Sequence, residues 1–254
     1  MYRNRERPTG PPAILQTWHD LVFLHARIPV EVLQAMVPSE LIVEEFDGSS
    51  WLGFVPFWMS CIRHPRGIAA PWLSSFHETN VRTYVTHSTM GPGVWFFSLD
   101  AARYLACWYA RKVFKLPYFH AIQSSKIDGE QLHYEGRRKT RQLLPAVAGK
   151  AAMLDSYKIT VQRHGPWHTA EPKTFEFWLV ERYRLYSRGT AGRLLSANVF
   201  HSPYEIAEAR ASELRVAGLE TQFGELSFES ALLAKTLNVL CFSPHPVSLR
   251  QQIL

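Results

Sequence analysis

Cysteine is scarce in this chain, and long apolar runs are missing. The 254 residues include three cysteines, Cys61, Cys107 and Cys241, which lie far apart in the sequence. Their odd number and their spacing indicate neither a disulfide framework nor a Cys-x-x-Cys metal site, so a reducing cytoplasm is the simplest location. No segment reaches the ~18 uninterrupted apolar residues of a membrane helix, and the start, MYRNRERPTGPP, lacks the apolar core of a signal peptide. We therefore expect a cytoplasmic protein that does not span a membrane.

Several common catalytic motifs are also missing. The sequence has no G-x-S-x-G nucleophile elbow, no G-x-x-x-x-G-K-[ST] phosphate loop and no G-x-G-x-x-G after a predicted strand. Histidine is plentiful, with 11 residues, but no H-E-x-x-H motif occurs. The close pair His164 and His168 is separated by Gly165-Pro166, which breaks any helix that would align the two imidazoles. We expect no metal and no cofactor, and the serine hydrolase, P-loop and Rossmann classes are disfavoured.

The net charge of +6 is consistent with attraction to anions. Basic residues cluster near the start and after a predicted hairpin: Arg3, Arg5, Arg7, Arg137, Arg138, Lys139 and Arg141. A solvated tail and a solvated turn explain both clusters, and no nucleic-acid-binding module accompanies them, so we do not expect nucleic acid as a partner. Residues 1–12 are predicted to form a flexible basic tail. Residues 13–254 are predicted to form a single domain, since no Pro/Gly/Ser linker divides them.

Predicted strands outnumber predicted helices along the chain. Nine or ten strands, with hairpin turns at Asp47-Gly48 and Asp128-Gly129, predict an α+β fold that is mainly antiparallel β, as a curved sheet or closed barrel. The few short helices are predicted at 29–37, at 101–114 with Asp100 as the N-cap, from Thr174 onward, and at 205–214. A closed sheet of this kind can hold a cavity.

The predicted strand FHETNVRTYVTH carries an unusual row of polar side chains. Because side chains alternate between the faces of a strand, one face would present Glu78, Asn80, Arg82 and Tyr84. The other face is small and β-branched, which suits packing. The polar row is either a solvated outer face with cross-strand ion pairs or the wall of a cavity. In a cavity, the planar guanidinium of Arg82 would suit bidentate binding of a carboxylate.

A second charged and aromatic cluster lies in the segment VERYRLYSR. In a strand, Arg182, Arg184 and Tyr186 would share one face. We select Arg182 and Tyr186 as binding candidates, with a solvated strand face as the alternative. Arg111, on the helix predicted after Asp100, is a further binding candidate that could equally brace a carboxylate.

Several motifs follow one another in a recognisable order. They are W-x-x-L-x-F-x-H from Trp18 to His25, then FDGSSWLGFVPF, FHETNVRTYV, GVWFFSLDA, ARKVFKLPYFHA, VERYRLYS and FHSPYEIA. Together they cover nearly the whole chain and resemble the domain-of-unknown-function family 2071. The resemblance implies an acetoacetate decarboxylase-like fold, a β-cone or double barrel that encloses a small-molecule cavity, and it favours the cavity interpretation of the polar row.

The same resemblance implies a comparison of catalytic residues. The related decarboxylases use a Schiff-base lysine on an oxo-acid, assisted by a glutamate and an arginine. Glu78 matches that glutamate in order, and Pro117 matches a proline that two lysines follow in the decarboxylase pattern. Here Tyr118 and Phe119 follow instead, so the resemblance implies that the lysines are lost.

Two kinds of residue could stand in for the missing lysines. Tyr118 and His120 share strand parity and could place a phenol and an imidazole on a cavity wall, or they could be an ordinary half-buried aromatic pair. Lys112 and Lys115 would enter the cavity only in a different register, and a solvated lysine at a helix end is the simpler interpretation.

Two functions therefore remain open. In the first, the protein is a lyase or hydratase acting on a small oxo-acid or related carboxylate: Arg82 binds the carboxylate, Glu78 moves a proton, and Tyr118 or His120 polarises a carbonyl. In the second, it is a non-catalytic binding protein that keeps the cavity. Acetoacetate decarboxylation itself is disfavoured, and a homo-oligomer is left open.

Overall fold

The computed structural model describes residues 5–68, 74–139, 154–189 and 192–247. The strands are β1 Ile14–His19, β2 Leu21–Ile28, β3 Ile42–Val43, β4 Glu45–Phe46, β5 Ser49–Arg63, β6 Phe76–His87, β7 Gly91–Ala101, β8 Tyr118–Asp128, β9 Gln131–Arg138, β10 Ser156–Arg163, β11 His168–Thr169, β12 Arg184–Arg188, β13 Leu194–His201, β14 Glu205–Ala217, β15 Phe228–Ala234, β16 Leu237–Cys241 and β17 His245–Pro246. The helices are α1 Val30–Gln34, α2 Tyr104–Val113, α3 Phe175–Val180 and α4 Glu220–Phe223. The prediction of a mainly antiparallel β fold with a few short helices is confirmed.

The strands close into two rings that share one wall. Successive pairings run through β1, β5, β6, β7, β12, β13 and β16 and return to β1, and we call this path the small ring. A second path, the large ring, runs through β2, β5, β6, β7, β8, β9, β10, β14 and β15 and returns to β2. Strands β5, β6 and β7 belong to both. The outline of the two rings together is a ring of 12 strands.

The shared wall separates two apolar cores. Along β6, Tyr84 packs in the core of the small ring, whereas Val81 and Val85 pack in the core of the large ring. Along β5, Val55 and Phe57 likewise belong to the small-ring core. Strand alternation therefore delivers one row of each shared strand to each core.

One helix prediction was wrong at its start and another in its type. The helix predicted at 101–114 is present as α2, but it begins at Tyr104, because Asp100 is a buried residue of β7 that pairs with Arg138 and so does not cap the helix. Residues 205–214, rich in alanine, glutamate and arginine, have helical propensity but form most of β14. That strand pairs with both β10 and β15, and this long-range pairing overrides the local preference.

Other predictions concern the chain start and the cysteines. All three cysteines are free.

Arg5, within the stretch predicted to be a flexible tail, forms an ion pair of 2.8 Å with the buried carboxylate of Glu181 and lies over the ring of Phe177. Arg141, counted in the second basic cluster, lies outside the described residues. No helix in the described ranges is long and apolar enough to cross a membrane.

The small ring closes where β7 runs parallel to β12, and Gly93 permits their close approach. A Cβ at Gly93 would lie 2.9 Å from the carbonyl oxygen of Arg184 and 2.7 Å from a ring carbon of Tyr186. We therefore expect Gly93→Ala to lower the free energy of unfolding by about 1–3 kcal/mol, measured by urea denaturation. Gly165→Ala is the control, since the nearest atom to its Cβ, on Glu208, is 3.7 Å away. Equal stability of the two variants would contradict this account of the closure.

Candidate active site

A pocket of about 570 Å³ occupies the small ring. Every strand of that ring contributes lining residues, and α2 and the segment before β8 complete the wall. Most of the lining is apolar. The polar lining residues include Gln16, Glu78, Asn80, Arg82, Tyr118, Arg182, Arg184, Asn198 and Cys241. Three of the four residues in the polar row of β6 thus face the pocket, and the row is not a solvated outer face.

Glu78 and Tyr118 form a hydrogen-bonded pair in this pocket. Tyr118 begins β8, which runs parallel to β7 with Tyr118 opposite Leu99, and this register brings its phenol towards β6. The Tyr118 hydroxyl donates to Oε2 of Glu78 at 2.8 Å. Glu78 is 3% exposed. A deeply buried carboxyl group and a half-buried phenol therefore meet at the pocket wall.

Burial makes Glu78 a much weaker acid than usual. The pKa of the Glu78 carboxyl is raised to about 8, mainly by burial, with the hydrogen bond from Tyr118 acting in the opposite direction and the negative charge of Asp100 adding to the rise. Burial and the nearby Glu78 also raise the pKa of the Tyr118 phenol well above its usual range. Near neutral pH, Glu78 can exchange its proton while Tyr118 keeps its own.

Asp100 lies on the opposite side of the shared wall from Glu78. It pairs across the sheet with Thr79, whose side chain points into the large ring. The guanidinium of Arg138 donates to both of its carboxylate oxygens, with Nε 2.6 Å from Oδ1 and Nη2 2.7 Å from Oδ2. This buried bidentate pair holds a negative charge behind Glu78.

Asn80 and Arg82 follow Glu78 along the pocket wall. Asn80 is 7% exposed, and its Oδ1 atom is buried without a hydrogen-bond partner among the described residues. In the same part of the chain the Nε atom of Arg82 is buried without a partner, while Nη2 makes long contacts, 3.4 Å to the Tyr84 hydroxyl and 3.5 Å to the Leu179 carbonyl oxygen. A buried polar atom without a partner is costly, so both atoms are suited to a polar ligand.

The segment 182–184 adds two more arginines. Arg182 is held in place: Nη1 lies 2.5 Å from Oε2 of Glu44, and Nε donates to the Trp178 carbonyl oxygen at 2.6 Å. Arg184 donates through Nη1 to Ser196 at 3.0 Å, but its Nε atom is buried without a partner among the described residues. The Nη2 atom of Arg182 is buried without a described partner as well. Arg184, which we did not select from the sequence, therefore offers the pocket a group comparable to that of Arg182.

Four residues predicted for the site do not line the pocket. Tyr84 is fully buried in the wall, where its hydroxyl lies 2.6 Å from Nε2 of His25. His120 shares the face of Tyr118 but lies farther along β8, where Tyr104 packs edge-to-face against it. Tyr186 donates to the Gly91 carbonyl oxygen at 2.6 Å and packs in the large-ring core. Arg111 lies on α2 outside the lining.

Sequence reasoning missed several lining residues from distant strands. Gln16 on β1 donates through Nε2 to Sγ of Cys241 on β16, at 3.3 Å. Burial raises the pKa of the Cys241 thiol to about 12, and the nearby Glu78 adds to the effect, so this thiol stays protonated. Trp18, in the first quoted motif, and Asn198 also line the pocket. Trp18 belongs to one of the sequence motifs quoted above. No pattern in the neighbouring sequence indicated that Gln16, Asn198 and Cys241 would line a pocket.

The described residues show no lysine and no metal cluster at the pocket. No lysine is among the lining residues, and Lys112, one of the two considered, has its ammonium 4.4 Å from the ring centre of Trp108. No three His, Cys, Asp or Glu side chains come together as metal ligands within the described ranges. The described lining residues include groups that can transfer a proton and groups that can bind an anion.

Comparison with known proteins gives two kinds of likeness. The profile of the DUF2071 family, described as an uncharacterized conserved protein, matches residues 15–244. The uncharacterized protein YqjF of Bacillus subtilis is 35% identical over 209 residues, which are 82% of this chain and 81% of YqjF. Both likenesses extend over most of the strands that form the two rings.

Solved structures share the architecture at low sequence identity. An acetoacetate decarboxylase-like enzyme from Sphingomonas wittichii RW1 has a TM-score of 0.64 at 10% identity and covers 94% of each chain. The enduracididine biosynthesis enzyme MppR, complexed with pyruvate, has a TM-score of 0.62 at 11% identity, covering 96% of this chain and 93% of MppR. The predicted acetoacetate decarboxylase-like fold is confirmed.

The raised pKa of Glu78 predicts a specific pH dependence of stability. Between about pH 5 and pH 8 the native state holds the Glu78 proton, whereas the unfolded state has released it. Unfolding therefore releases a proton in this range, and the free energy of unfolding falls as pH rises. We expect the native protein to lose roughly 2–4 kcal/mol more than Glu78→Gln across this window, at about 1.4 kcal/mol per pH unit. Chemical denaturation at both pH values measures the difference, with Glu208→Gln on an exposed strand position as control. Parallel pH profiles for the native protein and Glu78→Gln would refute the shift.

Proposed function

The chain belongs to the DUF2071 family, and from that premise and its pocket we propose that it binds a small carboxylate or oxo-acid and acts on it as a lyase or hydratase without a Schiff-base lysine. The observation that carries this proposal is the buried Glu78–Tyr118 pair beside guanidinium groups that each keep one buried nitrogen without a partner among the described residues. A proton-transfer group and an anion-binding group in one pocket are the two requirements of such an enzyme.

The charge balance of the pocket supports an anionic ligand. Among the described residues, Arg82 and Arg184 each keep a buried Nε–H without an acceptor. Arg182 is paired with Glu44 through Nη1, but its buried Nη2 also lacks a described partner. Glu78 does not cancel these charges while it is protonated. A ligand carboxylate would accept from the free N–H groups and offset the cost of their burial.

The other groups fit the remaining parts of such a substrate. The Oδ1 atom of Asn80 can accept from a substrate hydroxyl or enol. In our proposal, ionised Glu78 removes a proton from the carbon next to the substrate carbonyl, and the resulting negative charge on the carbonyl oxygen is stabilised by N–H donors in the pocket. Tyr118 holds the Glu78 carboxylate in position through its hydrogen bond.

The fold comparison supports the proposal through the ligand of one structural neighbour. MppR, which shares the architecture, has been solved in complex with pyruvate. Pyruvate is a ligand of MppR, and at this low identity the comparison extends only the fold to this chain. The MppR complex is consistent with our proposal, because it shows that this architecture can bind a small oxo-acid.

The test is a panel of short carboxylates and 2-oxo-acids, followed by calorimetric binding and by turnover in NMR. We expect binding by at least one member and proton exchange or elimination on it that Glu78→Gln abolishes. Treatment with borohydride and an oxo-acid should leave every lysine unmodified in mass spectrometry. A trapped lysine adduct would overturn the lysine-free mechanism, and absence of binding across the panel would overturn the proposal.

A non-catalytic binding protein is the second candidate. The absence of lysine among the described lining residues favours it, because the acid is kept without the nucleophile of the decarboxylases. Tight binding of an oxo-acid with no change in any ligand proton or bond would establish this function in place of the enzyme.

Arg82 provides the first prediction on binding. Because its Nε–H lacks an acceptor, Arg82→Met should weaken carboxylate binding by about 10- to 100-fold, the loss of a charge-assisted hydrogen bond. Isothermal titration measures the affinity, and circular dichroism checks the fold. Arg210→Met, at an exposed position of β14, is the control and should bind normally. Unchanged affinity in Arg82→Met would remove Arg82 from the anion site.

Tyr118 provides a second prediction, on the pH profile. Its hydrogen bond lowers the pKa of Glu78, so Tyr118→Phe should move the pH midpoint of Glu78-dependent turnover or ligand binding upward. The profile is measured across the neutral and alkaline range, and Tyr109→Phe, a phenol at the mouth of the pocket, is the matched control. A downward or absent shift in Tyr118→Phe would contradict the geometry.

A further inference from the structure

The pocket changes in polarity from its interior to its mouth. Glu78 and Asn80, which are almost completely buried, mark the interior. Lining residues that are also exposed mark the mouth, and on α2 these are Leu105 at 55%, Trp108 at 45% and Tyr109 at 48% exposure. This side of the mouth is therefore apolar and aromatic, whereas exposed Arg63 and His64 line another part of it. The α2 side of the mouth suits an apolar part of a ligand.

Helix α2 carries more exposed apolar surface than its own packing explains. Cys107 is its only buried residue, whereas Tyr104, Leu105, Trp108, Tyr109 and Val113 are exposed. A surface helix normally turns its apolar face towards the core and its polar face towards water. Contiguous exposed apolar side chains usually mark a binding surface, and here the central three also line the pocket.

The size of the pocket points in the same direction. Pockets of roughly 300–1,000 Å³ hold ligands of drug-like size, and this one measures about 570 Å³. A three-carbon oxo-acid would occupy a small part of it. The remaining wall is built mainly from phenylalanine, leucine and valine side chains.

We propose that the ligand is an amphipathic carboxylate or 2-oxo-acid with a bulky alkyl or aryl body. Its acid head lies against Arg82 and Arg184 near Glu78, and its body extends outward to the face of α2 at Leu105 and Trp108. This inference rests on the proposed function for the acid head. The apolar body follows independently from the mouth and the volume.

A ligand series tests the inference by isothermal titration. Pyruvate, 2-oxooctanoate and phenylpyruvate share the acid head and differ in the body, and 1-octanol lacks the head. We expect 2-oxooctanoate to bind at least about 50-fold more tightly than pyruvate, because each buried methylene contributes about fourfold in affinity. We expect phenylpyruvate to fall between them and 1-octanol to bind weakly.

A matched pair of tryptophan variants locates the body of the ligand. Trp108 and Trp167 are both partly exposed and both lie near a lysine ammonium, but only Trp108 lines the pocket. Trp108→Ala should lower the affinity for 2-oxooctanoate by about 5- to 20-fold and leave the affinity for pyruvate unchanged. Trp167→Ala should change neither ligand. Equal effects of the two variants on 2-oxooctanoate would overturn the placement.

The outcomes separate this inference from the proposed function. If pyruvate binds as tightly as 2-oxooctanoate, the inference is overturned and the proposed function stands. If 1-octanol binds as tightly as 2-oxooctanoate, recognition of an acid head is overturned together with the proposed function, while recognition of an apolar body is supported. Absence of binding by all four compounds overturns both.

Discussion

The alternation of side chains along three shared strands is the constraint on which this structure depends. Strands β5, β6 and β7 belong to both rings, so each must supply suitable side chains to two interiors. On β6 the even-numbered positions 78 to 82 enter the pocket, while Val81 and Val85 pack in the other core. A shift of one residue in the register of β6 would bury the acid in the apolar core and empty the pocket of its polar wall.

Closing both rings around one wall also explains how the pocket stays open inside a compact fold. The large ring is filled by aromatic and aliphatic side chains, including Tyr134, Tyr157 and Phe54. The small ring is only partly filled, and its arginines face the unoccupied volume. The apolar packing of both cores offsets the free-energy cost of the buried polar atoms that line the pocket.

The sequence was sufficient for the fold class and for part of the site. Alternation in one strand was a local signal strong enough to place Glu78, Asn80 and Arg82 on one face. The family resemblance added Tyr118, because this residue follows Pro117 where the decarboxylase pattern has a lysine. Residues such as Gln16, Asn198 and Cys241 could not be found, because strands far apart in the chain bring them together. The helix predicted at 205–214 failed for a related reason, since pairing with two distant strands decides that segment.

The two carboxylates on either side of the shared wall show how one sheet sets two different protonation states. Asp100 and Glu78 are both deeply buried, and burial disfavours ionisation of each. Asp100 receives two hydrogen bonds from Arg138, and a buried carboxylate with a bidentate guanidinium keeps its charge. Among the described residues, Glu78 receives a single hydrogen bond, from a neutral phenol, which is too little to offset burial, and the charge of Asp100 acts against ionisation as well. The charge of Asp100 therefore helps to keep the pocket acid protonated near neutral pH, so one sheet holds a paired carboxylate on one face and a protonated carboxyl group on the other.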